Sequence, residues 1–225
     1  MGEMVKFKSN GATCDGYLAT PAGKGPGVIV LQEWWGLVDH IKDVCDRFAE
    51  AGFCALAPDL YHGDMTKSPD QAGKLMMALN IAETEKDLRG AIDHLLAHPS
   101  CSSKTAGTVG FCMGGQLSLY AACANPEKVG ACAIYYGVHP NVKPDLHALK
   151  APVLGFFAEK DGFVTPAVAK ELEEKIKAAG GHAEFHIYQG LDHAFFNDTR
   201  KEVYDAKAAN DTWERMLEFY RANLK

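Results

Sequence analysis

The run Thr108-Val109-Gly110-Phe111-Cys112-Met113-Gly114-Gly115 sets a cysteine between an apolar stretch and the start of a helical one, with glycine two places before it and two places after. That spacing suits a very tight strand-to-helix turn. Such a turn drives its central residue into a strained backbone region and leaves no room for neighbouring side chains, which is the logic of the G-x-S-x-G nucleophile elbow. Here the central residue is Cys112. The turn would project its sulfur above a sheet, and the free N–H groups at the helix start favour negative charge there. A nucleotide-binding reading fits less well, because Gly107, Gly110, Gly114 and Gly115 do not match G-x-G-x-x-G and no G-K-[ST] is present.

Working outward, short apolar runs suited to buried strands lie at 27–31, 53–57, 108–111, 130–135, 152–157 and 183–188, after two opening strands at 5–9 and 15–20. Between them run helical patterns at 38–51, from Ser68-Pro69 to Pro99, at 113–124, at 166–179 and at 203–224. Alternation of this kind predicts an α/β fold, a mostly parallel twisted sheet of about seven to eight strands with helices on both faces. With no linker, repeat or low-complexity tract, the 225 residues read as a single domain, 1–225.

Composition narrows the function classes. With 47% apolar and 23% charged residues the chain is an ordinary globular sequence, neither disordered nor collagenous. Lys and Arg number 23 against 29 Asp and Glu, a net charge of −6 that disfavours nucleic acid as main partner. No signal-peptide run opens the chain, and no stretch approaches the roughly 18 apolar residues of a membrane-spanning helix, so a soluble, cytoplasmic protein is expected. The seven cysteines are odd in number, scattered and without a C-x-x-C pair, which argues against a disulfide framework or a zinc cluster.

A cysteine nucleophile needs a base and a group to orient that base, and on this fold the acid should come before the histidine in the chain. Both are present in that order. Asp161 lies in Glu159-Lys160-Asp161-Gly162 after the run at 152–157, and His193 opens His193-Ala194-Phe195 after the run at 183–188. Each therefore emerges from the carboxyl end of a strand, where open α/β sheets place their sites.

These elements, together with Leu31-Gln32-Glu33-Trp34-Trp35-Gly36, cover nearly the whole chain and resemble the dienelactone hydrolase family, a carboxymethylenebutenolidase-like branch of the α/β-hydrolases with a Cys-His-Asp triad. The resemblance implies hydrolysis of small carboxylic esters or lactones by Cys112, His193 and Asp161. It further implies a resting Cys112 thiol held by Glu33, which takes the thiol proton when substrate binds, and an oxyanion hole from the N–H groups of Trp34 and Met113. Glu33 also follows a buried apolar run, where an unpaired charge is expensive.

Family members that degrade chloroaromatics hold the substrate carboxylate with two arginines, one four residues after the catalytic histidine. That position is Asn197 here, leaving Arg89 and Arg200 as candidates. Trp35, Tyr61, His62, Tyr135, Tyr136 and Phe195 would border an aromatic cleft. His94 and His98 lack the Glu of H-E-x-x-H and read as solvated. Neither a metal nor a cofactor is expected, and the partners implied are a small-molecule substrate and a monomeric or weakly dimeric state. Thioester hydrolysis would use the same residues, and a non-catalytic small-molecule-binding protein of this fold is the alternative from another class.

Overall fold

In the computed structural model, which describes residues 2–9, 11–137 and 139–225, the apolar runs become six strands of one eight-stranded sheet, with the run at 183–188 at its edge. Its strands are β1 (Glu3–Ser9), β2 (Ala12–Ala19), β3 (Gly27–Leu31), β4 (Cys54–Pro58), β5 (Ala106–Phe111), β6 (Val129–Tyr135), β7 (Val153–Ala158) and β8 (Ala183–Tyr188), in the spatial order β1-β2-β4-β3-β5-β6-β7-β8. β1 and β2 form an antiparallel hairpin against β4, and β4, β3 and β5 to β8 are all parallel. Among the described residues the α-helices are α1 (Asp39–Glu50), α2 (Pro69–Ala78), α3 (Ile81–Ala97), α4 (Met113–Ala124), α5 (Pro166–Ala178) and α6 (Ala206–Asn223), with a short 3-10 turn at Leu146–Ala148.

β3 shows why a continuous apolar run makes the centre of such a sheet. Side chains of a strand alternate between faces, so a strand covered on both sides needs apolar residues at every position. Ile29 and Leu31 join one core with Leu88, Ile92 and Leu117 from α3 and α4. Val28 and Val30 join the opposite core with Ile41, Val44 and Phe48 from α1 and Met216 from α6. All four β3 side chains are fully buried, each contributing about 1.5–3 kcal/mol relative to exposure.

Two boundaries differ from expectation. The helical pattern from Pro69 to Pro99 is two helices, because the Asn80 side chain accepts from the N–H groups of Ala82 and Glu83 at 3.1 and 3.3 Å and caps α3 afresh. The last helix starts at Ala206 rather than 203, where Asp205 accepts from Ala208 N at 2.8 Å. His94 is not solvated either. It is half-buried and stacks on Phe7 with ring centroids 5.7 Å apart, while His98 Nδ1 accepts from Ser100 N at 3.2 Å.

All seven cysteines are free. Among the described residues no helix is long and apolar enough to cross a membrane. Because β3 and β5 to β8 run in one direction, the loops that follow Leu31, Phe111, Ala158 and Tyr188 share one edge of the sheet, where Glu33, Cys112, Asp161 and His193 all occur.

Candidate active site

Cys112 has φ 55° and ψ −123°, a conformation that costs an L-residue about 1–3 kcal/mol and that an elbow requires. Backbone bonds on both sides hold it there: its N–H donates to Tyr135 O at 3.1 Å, and its carbonyl accepts from Gly115 N at 2.9 Å. The glycines around it are explained by close approach rather than flexibility. A Cβ on Gly110 would lie 1.8 Å from Gly114 O, and one on Gly115 would lie 2.6 Å from Gly137 Cα.

The imidazole is set by its neighbours in turn. His193 Nδ1 and Asp161 Oδ2 are 2.7 Å apart, and Asp161 Oδ1 accepts from the N–H groups of Phe163 and Val164 at 2.8 and 2.9 Å. Lys160 N donates to Leu191 O at 2.8 Å, tying the two loops that carry Asp161 and His193. The imidazole lies against Tyr136 and Phe163, with centroids 4.8 and 5.2 Å away. Burial alone would lower its pKa, and this is the largest single influence. Hydrogen bonds and negative charge from Asp161 and Cys112 more than offset it, pushing His193 up to about 10.

Glu33 is 2% exposed, and its Oε2 accepts from Asn197 Nδ2 at 2.7 Å. Its Oε1 has no partner among the described residues. Asn197 therefore holds one Glu33 oxygen and leaves the other free in the cavity that Cys112 and His193 also line. Asn197 is itself fixed, since its Oδ1 accepts from Thr199 N and Oγ1 at 3.0 and 2.6 Å. Sequence reasoning noted Asn197 only as a missing arginine and missed it as the anchor of the glutamate.

Glu33, Trp34, Trp35, Cys112, His193 and Arg200 line one cavity of about 80 Å³. Met76 from the end of α2 and Phe163, 68% exposed, also line it, and neither was expected. An adjoining cleft of about 500 Å³ shares Trp35 and Arg200 and runs past His40, Lys67 and Thr199. The Arg200 guanidinium pairs with Glu202, with Nε 2.8 Å from the carboxylate.

Other candidates sit elsewhere. Arg89 is not part of the cavity: it pairs with Glu85 on the outer face of α3 at 2.7 Å. Tyr61 lies behind the elbow, its hydroxyl 3.2 Å from Met113 Sδ. Tyr135 and Phe195 are fully buried in an aromatic stack, so they support the site from below rather than border it. Tyr136, at φ 39°, is fully buried beside His193, and its hydroxyl has no partner among the described residues. Burial, followed by the charges of Glu33 and Cys112, raises its pKa well above the usual phenol.

Comparison with known proteins gives the chain a family. The model of the family described as "Dienelactone hydrolase family" matches residues 14–224. The chain is 39% identical over 230 residues to "Protein usf" of Aquifex pyrophilus, covering all of both chains. It is 36% identical over 231 residues to "Putative carboxymethylenebutenolidase" of Aquifex aeolicus, again across both full lengths. Among solved structures, "Putative Dienelactone Hydrolase from Klebsiella pneumoniae" superposes with a TM-score of 0.88 at 30% identity, covering 98% of each chain. An α/β fold whose sheet edge carries a cysteine elbow, an aspartate and a histidine in this order, matched along its length by those relatives, belongs to the dienelactone hydrolase family.

Proposed function

We propose that the protein hydrolyses small carboxylic esters or lactones through a thioester intermediate on Cys112. The observation that carries this reading is the convergence on one cavity of a strained cysteine elbow and a histidine held at 2.7 Å by a buried aspartate. The Cys112 sulfur attacks the carbonyl carbon and the carbonyl π electrons move to oxygen. Collapse then breaks the C–O bond, and His193 gives its proton to the departing alkoxide. Water, deprotonated by His193, attacks the thioester, and collapse breaks the C–S bond to release the acid and a thiolate, which takes back the proton held by Glu33.

The developing oxyanion needs preorganised donors. Met113 is the first residue of α4, so its N–H has no acceptor inside the helix. With the Trp34 N–H it supplies the oxyanion hole, donors of this kind being worth about 2.7–4 kcal/mol each. Glu33, anchored through one oxygen and free at the other, serves as proton acceptor for the thiol before attack. Arg200 is the cation at the junction of cavity and cleft, which supports a substrate bearing a carboxylate. The small cavity takes a compact acyl group, and the larger cleft takes the rest of the molecule.

The test is turnover of a panel of carboxylated lactones, neutral aryl esters and thioesters by wild type and Cys112→Ala. Loss of carboxylated-lactone turnover in the variant supports the nucleophile and the anion site together. Turnover of neutral esters alone removes the carboxylate assignment, a preference for thioesters changes the substrate class, and no turnover of any compound favours a binding protein.

A further inference from the structure

Away from the cavity, Cys14 on β2, His62 in the loop after β4 and Asp87 on α3 bring a thiol sulfur, an imidazole nitrogen and a carboxylate oxygen within 4.8 Å of one another. Nothing in the proposed hydrolysis uses them. His62 Nε2 is 3.0 Å from Asp87 Oδ2. Bonds of roughly 2.0–2.2 Å from zinc to nitrogen and oxygen span about 3.3 Å between ligand atoms of a tetrahedron, so this pair already stands near the required separation. With a zinc–sulfur bond of about 2.3 Å the sulfur belongs about 3.6 Å from those two atoms, and it already lies within 4.8 Å of them.

The surroundings fit a bound cation. The other Asp87 oxygen, Oδ1, accepts from the Ser9 hydroxyl, which orients the carboxylate as an outer partner does in metal sites. Cys14 and Asp87 are buried, and the carboxylates of Asp59 and Asp15 lie close enough to act on the Cys14 sulfur. His62 stands at φ 52° in a loop held by Asp59, whose oxygens accept from Gly63 N and Tyr61 N at 2.7 and 3.2 Å. Its side chain is 53% exposed, so a fourth position opens to water.

We propose that Cys14 Sγ, His62 Nε2 and Asp87 Oδ2 bind one divalent transition-metal ion of the zinc type, with water as fourth ligand. On binding, the Cys14 thiol releases its proton to solvent as the sulfur–metal bond forms, His62 binds as neutral imidazole, and no oxidation state changes. Thiolate, carboxylate and dication then sum to zero charge among the ligands, with the Asp59 and Asp15 carboxylates adding negative charge nearby. The ion joins β2, α3 and the loop bearing Tyr61, whose hydroxyl meets Met113 next to Cys112.

The experiment is titration of the reduced, chelator-treated full chain with cobalt(II), reading the near-ultraviolet thiolate-to-cobalt absorption. One equivalent should produce the band in wild type and in Cys112→Ser, the band should vanish in Cys14→Ser, and affinity should fall at least about tenfold in His62→Ala. Because Cys14 is buried, circular dichroism accompanies its variant, and His62→Ala, changed on an exposed side chain, carries the test should Cys14→Ser unfold. No band in wild type, a band lost only in Cys112→Ser, or wild-type affinity in His62→Ala would overturn the site. An ion bound at the catalytic thiol instead would show as the second of these.

Discussion

Asn197 donates a 2.7 Å hydrogen bond to Glu33, residues 164 apart in the chain that meet in the interior beside the cavity lined by Cys112 and His193. A buried carboxylate with one partner depends heavily on it, because removing that partner leaves an uncompensated charge. Asn197→Ala should lower stability by about 2–3 kcal/mol, read as a shift in urea midpoint at unchanged slope. It should also lower kcat/KM about tenfold or more. Wild-type values in both measurements would deny Asn197 the anchoring role.

The strain at Cys112 separates stability from activity. Glycine adopts φ 55° without the Cβ penalty, so Cys112→Gly should be more stable than wild type by roughly 1 kcal/mol while losing turnover. Cys112→Ser should keep the fold and lose at least about a hundredfold in kcat, because a hydroxyl is far harder to deprotonate than a thiol. Thermal unfolding and ester kinetics on the two variants check both halves.

His193 carries a pH signature. Its folded pKa is raised to about 10 from an ordinary 6.5, so its contribution to stability is fully present below pH 6.5 and is lost as pH rises through about 10. The stability advantage of wild type over Asp161→Asn should therefore shrink steadily across that window in urea denaturation at several pH values. In kinetics, the alkaline limb of kcat/KM should fall near pH 10 in wild type and lower in Asp161→Asn.

Arg200 and Arg89 make a matched pair for substrate recognition. Arg200→Ala should raise KM for a carboxylated lactone about tenfold and change kcat/KM for a neutral ester less than about twofold. Arg89→Ala, altered on the exposed face of α3, should change neither. Equal effects of Arg200→Ala on both substrates would remove the carboxylate role.

Asn80 tests the break between α2 and α3. Removing its side chain leaves two N–H groups of the first turn unpaired, so Asn80→Ala should cost about 1 kcal/mol in urea denaturation.

Features readable from one chain segment were legible, and those made by distant segments meeting were not. The β3 run announces a doubly covered strand because burial on both faces admits no polar residue. The Cys112 glycines announce the elbow because a Cβ has nowhere to go. Asp161 and His193 could be placed because each follows a strand. The Asn197 bond to Glu33, by contrast, has no local periodicity to betray it. Tyr135 and Phe195 have the composition of a cleft wall, yet their position on the sheet turns them inward. Arg89 carries the right charge on the wrong side of a helix. The stop at Asn80 is hidden because the apolar spacing on either side of it continues nearly unbroken.

At the elbow the backbone of Gly110 meets that of Gly114, and Gly115 meets Gly137, with no side chain between them. Cys112 is thus mounted on main chain that no substitution can reshape without moving the sheet itself. Met76, Phe163 and Arg200 reach the same cavity from three separate segments, free of that lock. Evolution, or a mutant library built on those three positions, can reshape the cavity while the Cys112 sulfur stays where it is.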